Sequence, residues 1–477
     1  MLKHGDKRTF YRLLELYASK VSAHGLQPQI LEQVESEVTS LLSTLIRFNT
    51  TNPPGNETAA ANYLSQELSA EGFNCKVFES SPGRGNIVTR LKGTGENPSL
   101  LLLSHLDVVP ADPAEWSVDP FGGVVKDGFV WGRGALDMKS LTALEVMTMK
   151  LLKRNNVKLK GDVVFAATAD EEKGGLAGVD FLLRNHRQDV FANYVLNEGG
   201  GLAIPTQRRN VFTVQTAEKG FVWLRIRAKG VPAHGSIPDA GDNAIARISK
   251  VIERLESYKP PAMLVPTLKA FLEEIAREDV KLQGFVSRMF ANPERSGEVL
   301  DELAVTEKAL ADEIRSRIGM TIAPTMIRGG VKENVIPSEC EATFDCRILP
   351  GQTTAQACEI IKHLLADVGF DKLSFEVLQA NEPSESPVET PLYRVIDGVL
   401  RDFEPNCGVT HVLMTGGTDS RFFRQLGSVC YGFHPMRPEI ASGRIERREH
   451  GIDERISVEN LVFGTSVLYE VVKRFMI

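Results

Sequence analysis

The chain is 477 residues long, 42% hydrophobic, and carries a formal net charge of -7 at pH 7. That length exceeds one ordinary core and calls for two or more domains, while an acidic balance with no basic cluster to offset it excludes nucleic acid as the main partner. No apolar run approaches the roughly 18 residues of a membrane span and none follows a charged amino terminus as a secretion signal would, so no membrane partner is expected.

In chain order, Phe10, Leu13, Leu14, Tyr17 and Val21 make one helical stripe over residues 8–21, a docking helix. A second amphipathic segment runs from Ile30 to Phe48 and is stopped by Pro53 and Pro54 in TNPPGNE. Residues 59–71 read as a third helix, and 74–77 with 86–90 as strands. The sequence then reaches SLLLLSHLDVVP, where Leu100 to Leu103 form a run short enough for a strand buried on both faces, as the middle of a parallel sheet requires. His105 and Asp107 follow two residues apart, on one face if the strand persists, at the carboxyl end where open α/β sheets bind ligands.

The same pattern recurs. WGRGALDMK places Asp137 after a glycine-bearing loop and before a helix-period segment, 138–152. The run 162–169 ends in Asp170, Glu171 and Glu172, and the run 194–196 ends in Asn197 and Glu198. Carboxylates converging in one sheet crevice repel strongly, and a divalent cation is the simplest way to hold them together. The residues alone therefore point to a metal site.

Past Glu198 the pattern changes. Residues 211–215 and 221–227 alternate as half-exposed strands do, VPAHGSIP leads into an amphipathic helix over 243–255, and the charged, helix-period stretch 260–320 reads as an insertion. Strands over 321–327 and 341–348 and a helix over 354–368 complete a small α/β domain at 216–381, with NEPSESP as the return linker. Residues 382–477 resume the first domain, with a strand at 429–433, His450 in a loop, and Ser457 as N-cap of a closing helix over 458–475. Six cysteines (Cys75, Cys340, Cys346, Cys358, Cys407, Cys430) show no CxxC spacing. That argues against a thiolate zinc site and suits buried thiols in a reducing, cytoplasmic compartment.

Taken together, SHLDVVP, GRGALDMK, ADEE, NEGG, AHGS, NVIP, GGTDSR and EHGIDER resemble the ordered motifs of the dinuclear-zinc amidohydrolases that include aminoacylase, glutamate carboxypeptidase, acetylornithine deacetylase and succinyl-diaminopimelate desuccinylase. The resemblance spans nearly the whole chain from about residue 35. It implies an α/β fold: a zinc-peptidase catalytic domain (1–215 and 382–477) with a mostly parallel central sheet flanked by helices, carrying an inserted smaller α/β lid or dimerisation domain (216–381).

Carried over residue by residue, the resemblance makes Asp137 the carboxylate bridging two zinc ions, with His105 and Glu198 completing one site and Glu172 and His450 the other. Glu171 becomes the general base and Asp107 the residue that orients His105. Successive strand-end side chains pointing opposite ways would let Glu171 and Glu172 divide their roles. Arg347 would bind a substrate carboxylate through its planar fork, with Asn334, Gly416, Gly417 and Thr418 as further substrate contacts.

His234 of the AHGS segment would donate a hydrogen bond to the developing oxyanion, from the partner subunit in a homodimer formed by the inserted domain. The 260–320 insertion leaves a monomer as the alternative. The resemblance also implies a cis peptide after Asp137. The expected activity is hydrolysis of an amide next to a free carboxylate, in an N-acyl amino acid or a short peptide, with two zinc ions per subunit; cobalt and manganese suit the same ligands. The alternatives are a dipeptidase or aminopeptidase-like enzyme on the same centre, and a non-catalytic metal-binding protein.

Overall fold

The structure is a computed structural model that describes residues 28–439 and 448–477; the expected docking helix over 8–21 lies outside the described residues. The chain forms two compact units.

The first unit is organised on the strand Leu100–His105, which pairs in parallel with Val163–Thr168 on one side and Tyr194–Asn197 on the other. Val429–Gly432 continues the parallel set beside Tyr194–Asn197, while Gly85–Leu91 and Lys76–Glu79 extend the far side antiparallel. The leucine run explains why this strand is central. Leu100 and Leu102 face one hydrophobic core together with Val163, Phe165 and Leu196, and Leu101 and Leu103 face a second core with Val164, Ala166 and Val195. Alternate residues thus feed two layers, and each wholly buried leucine contributes roughly 1.5–3 kcal/mol of transfer free energy.

The first layer is built from the helices Pro28–Arg47, Thr58–Ala70, Lys139–Arg154, Pro391–Phe403 and Val458–Met476. The last of these starts where Ser457 accepts a hydrogen bond from the Asn460 N–H at 3.1 Å, as the N-cap reading expects. All six cysteines are free thiols, and burial pushes Cys346 up to about 12 and Cys407 up to about 11, so neither is a reactive thiolate at neutral pH.

The second unit comprises Ala217–Glu385 and Val412–Gly417. Val412–Gly417 falls in the stretch that the sequence reading gives to the first domain. Its capture has a direct cause, because the Lys219 N–H donates to the Met414 carbonyl at 2.9 Å and Arg317 Nε to the Leu413 carbonyl at 2.8 Å. The sheet order is Thr321–Gly329, Glu339–Ile348, Gly220–Lys229, Leu373–Asn381, all antiparallel. Cys340, Ala342, Phe344, Cys346 and Ile348 point to one face, where the helices Ala244–Glu256 and Thr354–Leu364 cover them. Asp345 and Arg347, by the same alternation, share the other face. The expected insertion is the helices Pro266–Ala276, Val280–Ala291 and Ser296–Arg317.

Lys219 is wholly buried and donates to the carbonyls of Ser316 and Gly319, both at 2.9 Å, in and just past the last turn of the helix Ser296–Arg317. Burial, together with the like charges of Arg347 and Arg317 and against the pull of Asp345, presses its ammonium down to about 7. The unfolded chain, with an ordinary lysine near 10.4, then binds more protons between about pH 7 and 10, so this residue makes stability rise with pH across that window. The difference in thermal midpoint, wild type minus Lys219→Met, should therefore move in favour of the wild type from pH 7 to pH 9. A pH-independent difference would contradict the account.

Candidate metal centre

Three strands of the parallel core, ending at His105, Thr168 and Asn197, deliver polar residues at the same edge. His105 is the last residue of its strand and is opposite Thr168, and Asn197, opposite Gly432, closes its strand directly before Glu198. Asp137 ends the loop that leads into the helix Lys139–Arg154, and the Asp137–Met138 peptide is cis, as the resemblance implied.

The structure brings five of the sequence-derived residues into two groups that share Asp137. One is His105, Asp137 and Glu198, the other Asp137, Glu172 and His450, and within each the ligand atoms lie within 4.8 Å of one another. His105 Nε2 is 3.1 Å from Asp137 Oδ1 and 3.7 Å from Glu198 Oε2, whereas His450 Nε2 is 3.0 Å from Asp137 Oδ2 and 3.5 Å from Glu172 Oε1. The two oxygens of Asp137 thus face different histidines. Two ligands of one tetrahedral zinc, each about 2.0–2.2 Å from it, lie roughly 3.4 Å apart, so these spacings fit. Glu172 Oε1 is also buried without a hydrogen bond among the described residues.

The electrostatics agree. Burial raises Glu171 well above the usual carboxylate range and the nearby Glu198 charge adds to it, with Asp419 beyond. His105, though burial opposes its charge, is raised well above an ordinary imidazole by Glu198, Asp107 and Asp137. The neighbouring carboxylates of Asp137 and Glu172 lift His450 to about 10. A crowd of carboxylates that draws protons this strongly is a site deficient in positive charge, which divalent cations supply.

Two local expectations need correction. The strand stops at His105, and His105 Nδ1 lies 3.0 Å from the backbone carbonyl of Asp107 and 3.5 Å from its carboxylate. The Asp107 carboxylate also accepts from the N–H groups of Glu171 and Glu172, at 3.1 and 3.2 Å, and from the Asn52 amide at 2.8 Å. Glu171 and Glu172 are not successive strand residues either. The strand ends at Thr168, Asp170 has φ +73, and Glu171–Lys173 form one 3₁₀ turn.

Sequence reasoning missed Glu454. Its Oε1 accepts from the N–H groups of Leu136 and Asp137 at 2.6 and 3.1 Å, and its Oε2 from Arg133 at 2.6 Å, so a wholly buried carboxylate holds the loop that presents the bridging residue. Arg133 in turn donates to the His450 carbonyl at 3.3 Å. The motif EHGIDER contains Glu454 beside His450, and that proximity was the available signal. Buried His434, pushed down to about 4, is a neutral histidine whose Nε2 is 3.5 Å from Ser140 Oγ.

The remaining predicted residues lie mostly in the second unit. His234 pairs with Val335 in a two-residue ladder, and the Gly235 N–H donates to the Asn334 carbonyl at 2.8 Å, so His234 and Asn334 are neighbours. The Ser236 N–H donates to His234 Nδ1 at 3.2 Å. An acceptor at Nδ1 leaves the proton of the neutral ring on Nε2, which makes the exposed end of His234 a donor. Arg347 already holds one carboxylate, since its Nε and Nη2 donate to Asp345 at 2.8 and 3.0 Å. Gly416 and Gly417 belong to the second unit. Thr418 is buried in the first, where its hydroxyl accepts from the Ser420 N–H at 3.2 Å.

A mixed α/β sheet whose parallel strands end beside two carboxylate and histidine groups sharing one aspartate is a candidate dinuclear-metal centre. The family model described as peptidase family M20/M25/M40 matches residues 101–474, and the chain belongs to that family. It is similar to the N-fatty-acyl-amino acid synthase/hydrolase PM20D1 of Mus musculus, 28% identical over 421 residues that cover 83% of this chain and 79% of that one. It is 29% identical to aminoacylase-1 of Sus scrofa over 405 residues, covering 83% and 86%. Among solved structures, the M20 family metallo-carboxypeptidase Sso-CP2 from Sulfolobus solfataricus shares the fold with a TM-score of 0.68 at 18% identity, over 92% of this chain and 99% of that one. The protein is accordingly a metallohydrolase acting on amide or peptide bonds. Among the described residues no helix is long and apolar enough to cross a membrane.

Proposed function

We propose that the chain is a cytoplasmic, zinc-dependent hydrolase that cleaves an amide bond next to a free carboxylate, with N-acyl amino acids as its substrates. The observation that carries this reading is the pair of ligand groups sharing Asp137. His105 and Glu198 would hold one zinc and Glu172 and His450 the other. Bound zinc supplies a lowered water pKa and a polarised scissile carbonyl.

The chain's own groups do the rest. Glu171, set within the field of Glu198, His105 and Asp419, accepts the proton of the attacking water and returns it to the leaving nitrogen. Arg347 binds the substrate carboxylate, exchanging Asp345 for it, with Asn334, Gly416, Gly417 and Thr418 as further contacts. His234 donates through Nε2 to the oxyanion, in a homodimer from the partner subunit. An acyl amino acid is favoured over a dipeptide because the matched relatives above are an aminoacylase and an N-fatty-acyl-amino acid synthase/hydrolase.

The test is a screen of zinc-loaded protein against N-acyl amino acids of graded chain length and against dipeptides, each beside its carboxamide-capped counterpart. Hydrolysis of the free acids and at least tenfold slower cleavage of the capped forms is expected. Equal rates on both would overturn the carboxylate requirement, and exclusive cleavage of dipeptides the acyl preference. His234→Ala should lower turnover by about 10²–10³ while zinc content stays unchanged. Mixed with Glu171→Ala subunits, it should regain part of the activity, and no regain despite proven subunit exchange would remove the trans arrangement.

A further inference from the structure

Behind the metal centre a buried polar network ties four separate segments together. Thr50 to Asn52 is stitched to Leu106 to Val108, since the Asn52 N–H donates to the Val108 carbonyl at 2.9 Å, the Val108 N–H to the Thr50 carbonyl at 3.2 Å, and Thr50 Oγ1 to the Leu106 carbonyl at 2.6 Å. This fixes Asn52, itself almost wholly buried, beside Asp107. Its single amide nitrogen then donates to two carboxylates, Asp107 Oδ2 at 2.8 Å and Asp170 Oδ1 at 3.1 Å.

Each carboxylate governs one part of the turn that carries Glu171 and Glu172. Asp107 accepts the N–H groups of both. Asp170, held at φ +73 where it enters the turn, accepts from the Ala177 N–H at 3.0 Å and from Arg84 at 2.8 Å. Arg84 is in turn fixed by Glu57, Nε to Oε2 at 2.9 Å, and by the Pro54 carbonyl at 2.9 Å. The chemistry at position 52 is specific. A carboxamide offers two N–H hydrogens on one uncharged atom, so it can join two carboxylates without adding charge, whereas aspartate would set a third carboxylate between them and offer no donor.

We propose that Asn52, Arg84 and Asp170 are positioning residues whose network sets the turn bearing the base Glu171 and the ligand Glu172. TNPPGNE, which the sequence reading treats only as a helix stop, thereby acts on the metal centre. The inference rests on the roles given to Glu171 and Glu172 above. Groups that orient a metal's direct ligands typically hold 10- to 100-fold in metal affinity or activity, and a residue that places the base affects turnover more than substrate affinity.

The experiment is a calorimetric zinc titration of metal-stripped protein, run beside steady-state kinetics. Asn52→Leu should weaken at least one of two zinc-binding events about 10- to 100-fold and lower kcat by a similar factor with KM within about threefold. Asn52→Asp should be worse than Asn52→Leu, although it is the closer isostere. Arg84→Lys should fall between wild type and Arg84→Met, which keeps the test open if a substitution at position 52 prevents folding. Folded variants with wild-type zinc affinity and kcat would overturn the proposal, as would losses that only track the fraction of folded protein. Absence of zinc binding in the wild type would instead remove the reading of the centre itself.

Discussion

Asp137→Ala should purify with neither zinc, even from zinc-supplemented medium, and should lose more than about 10³-fold in turnover. Its two oxygens face different histidines, 3.1 and 3.0 Å away, so one truncation removes a ligand from both groups. The loss follows because Lewis-acid stabilisation is worth several kcal/mol and each 1.4 kcal/mol is tenfold in rate. The apo variant should still fold. The loop before Asp137 is held by Glu454, through the Leu136 and Asp137 N–H groups and Arg133, and none of these bonds uses the Asp137 side chain. Two tightly bound zincs in a folded Asp137→Ala protein would refute the bridging role.

Glu171→Gln should separate chemistry from binding. Glu171 feels the charges of Glu198 and His105 without belonging to either ligand group, so its amide should leave zinc content at the wild-type level. Turnover should fall by about 10²–10⁴, the usual range for a lost general base, with KM little changed. Loss of one zinc would reassign Glu171 as a ligand, and wild-type turnover would remove it from the mechanism.

Much of this site could be read from residues because its ligands sit where apolar runs end. A run such as Leu100 to Leu103 can be buried on both faces only as a central strand, and the polar residue after it must then emerge at the sheet's edge. What escaped the reading has one physical character: it depends on contacts between segments far apart in sequence. No periodicity shows that Asn52 reaches Asp170, or that Glu454 caps the loop of Arg133 to Asp137. Likewise Asp170, at φ +73 where a 3₁₀ turn replaces the expected strand end, bonds to Arg84 and Ala177 across segments that no local pattern connects.

The strand Leu373–Asn381 is a different case. Leu373, Phe375 and Val377 alternate as a strand requires, but no expectation covered it, and NEPSESP, read as a linker, includes Ser384 and Glu385 paired with Glu218 and Ala217. Arg347 shows the limit of residue chemistry. Its fork suits a substrate carboxylate, yet the structure places Asp345, two residues back on the same face, in that fork.

The central claim, that two metals sharing Asp137 carry the hydrolysis, is tested most directly by titrating metal-stripped protein with zinc while following bound metal and cleavage of an N-acyl amino acid together. The account predicts saturation at two zincs per chain, with activity appearing as they bind and absent before. Full activity in the stripped protein, or saturation at two zincs with no cleavage of any amide substrate in the screen, would contradict it.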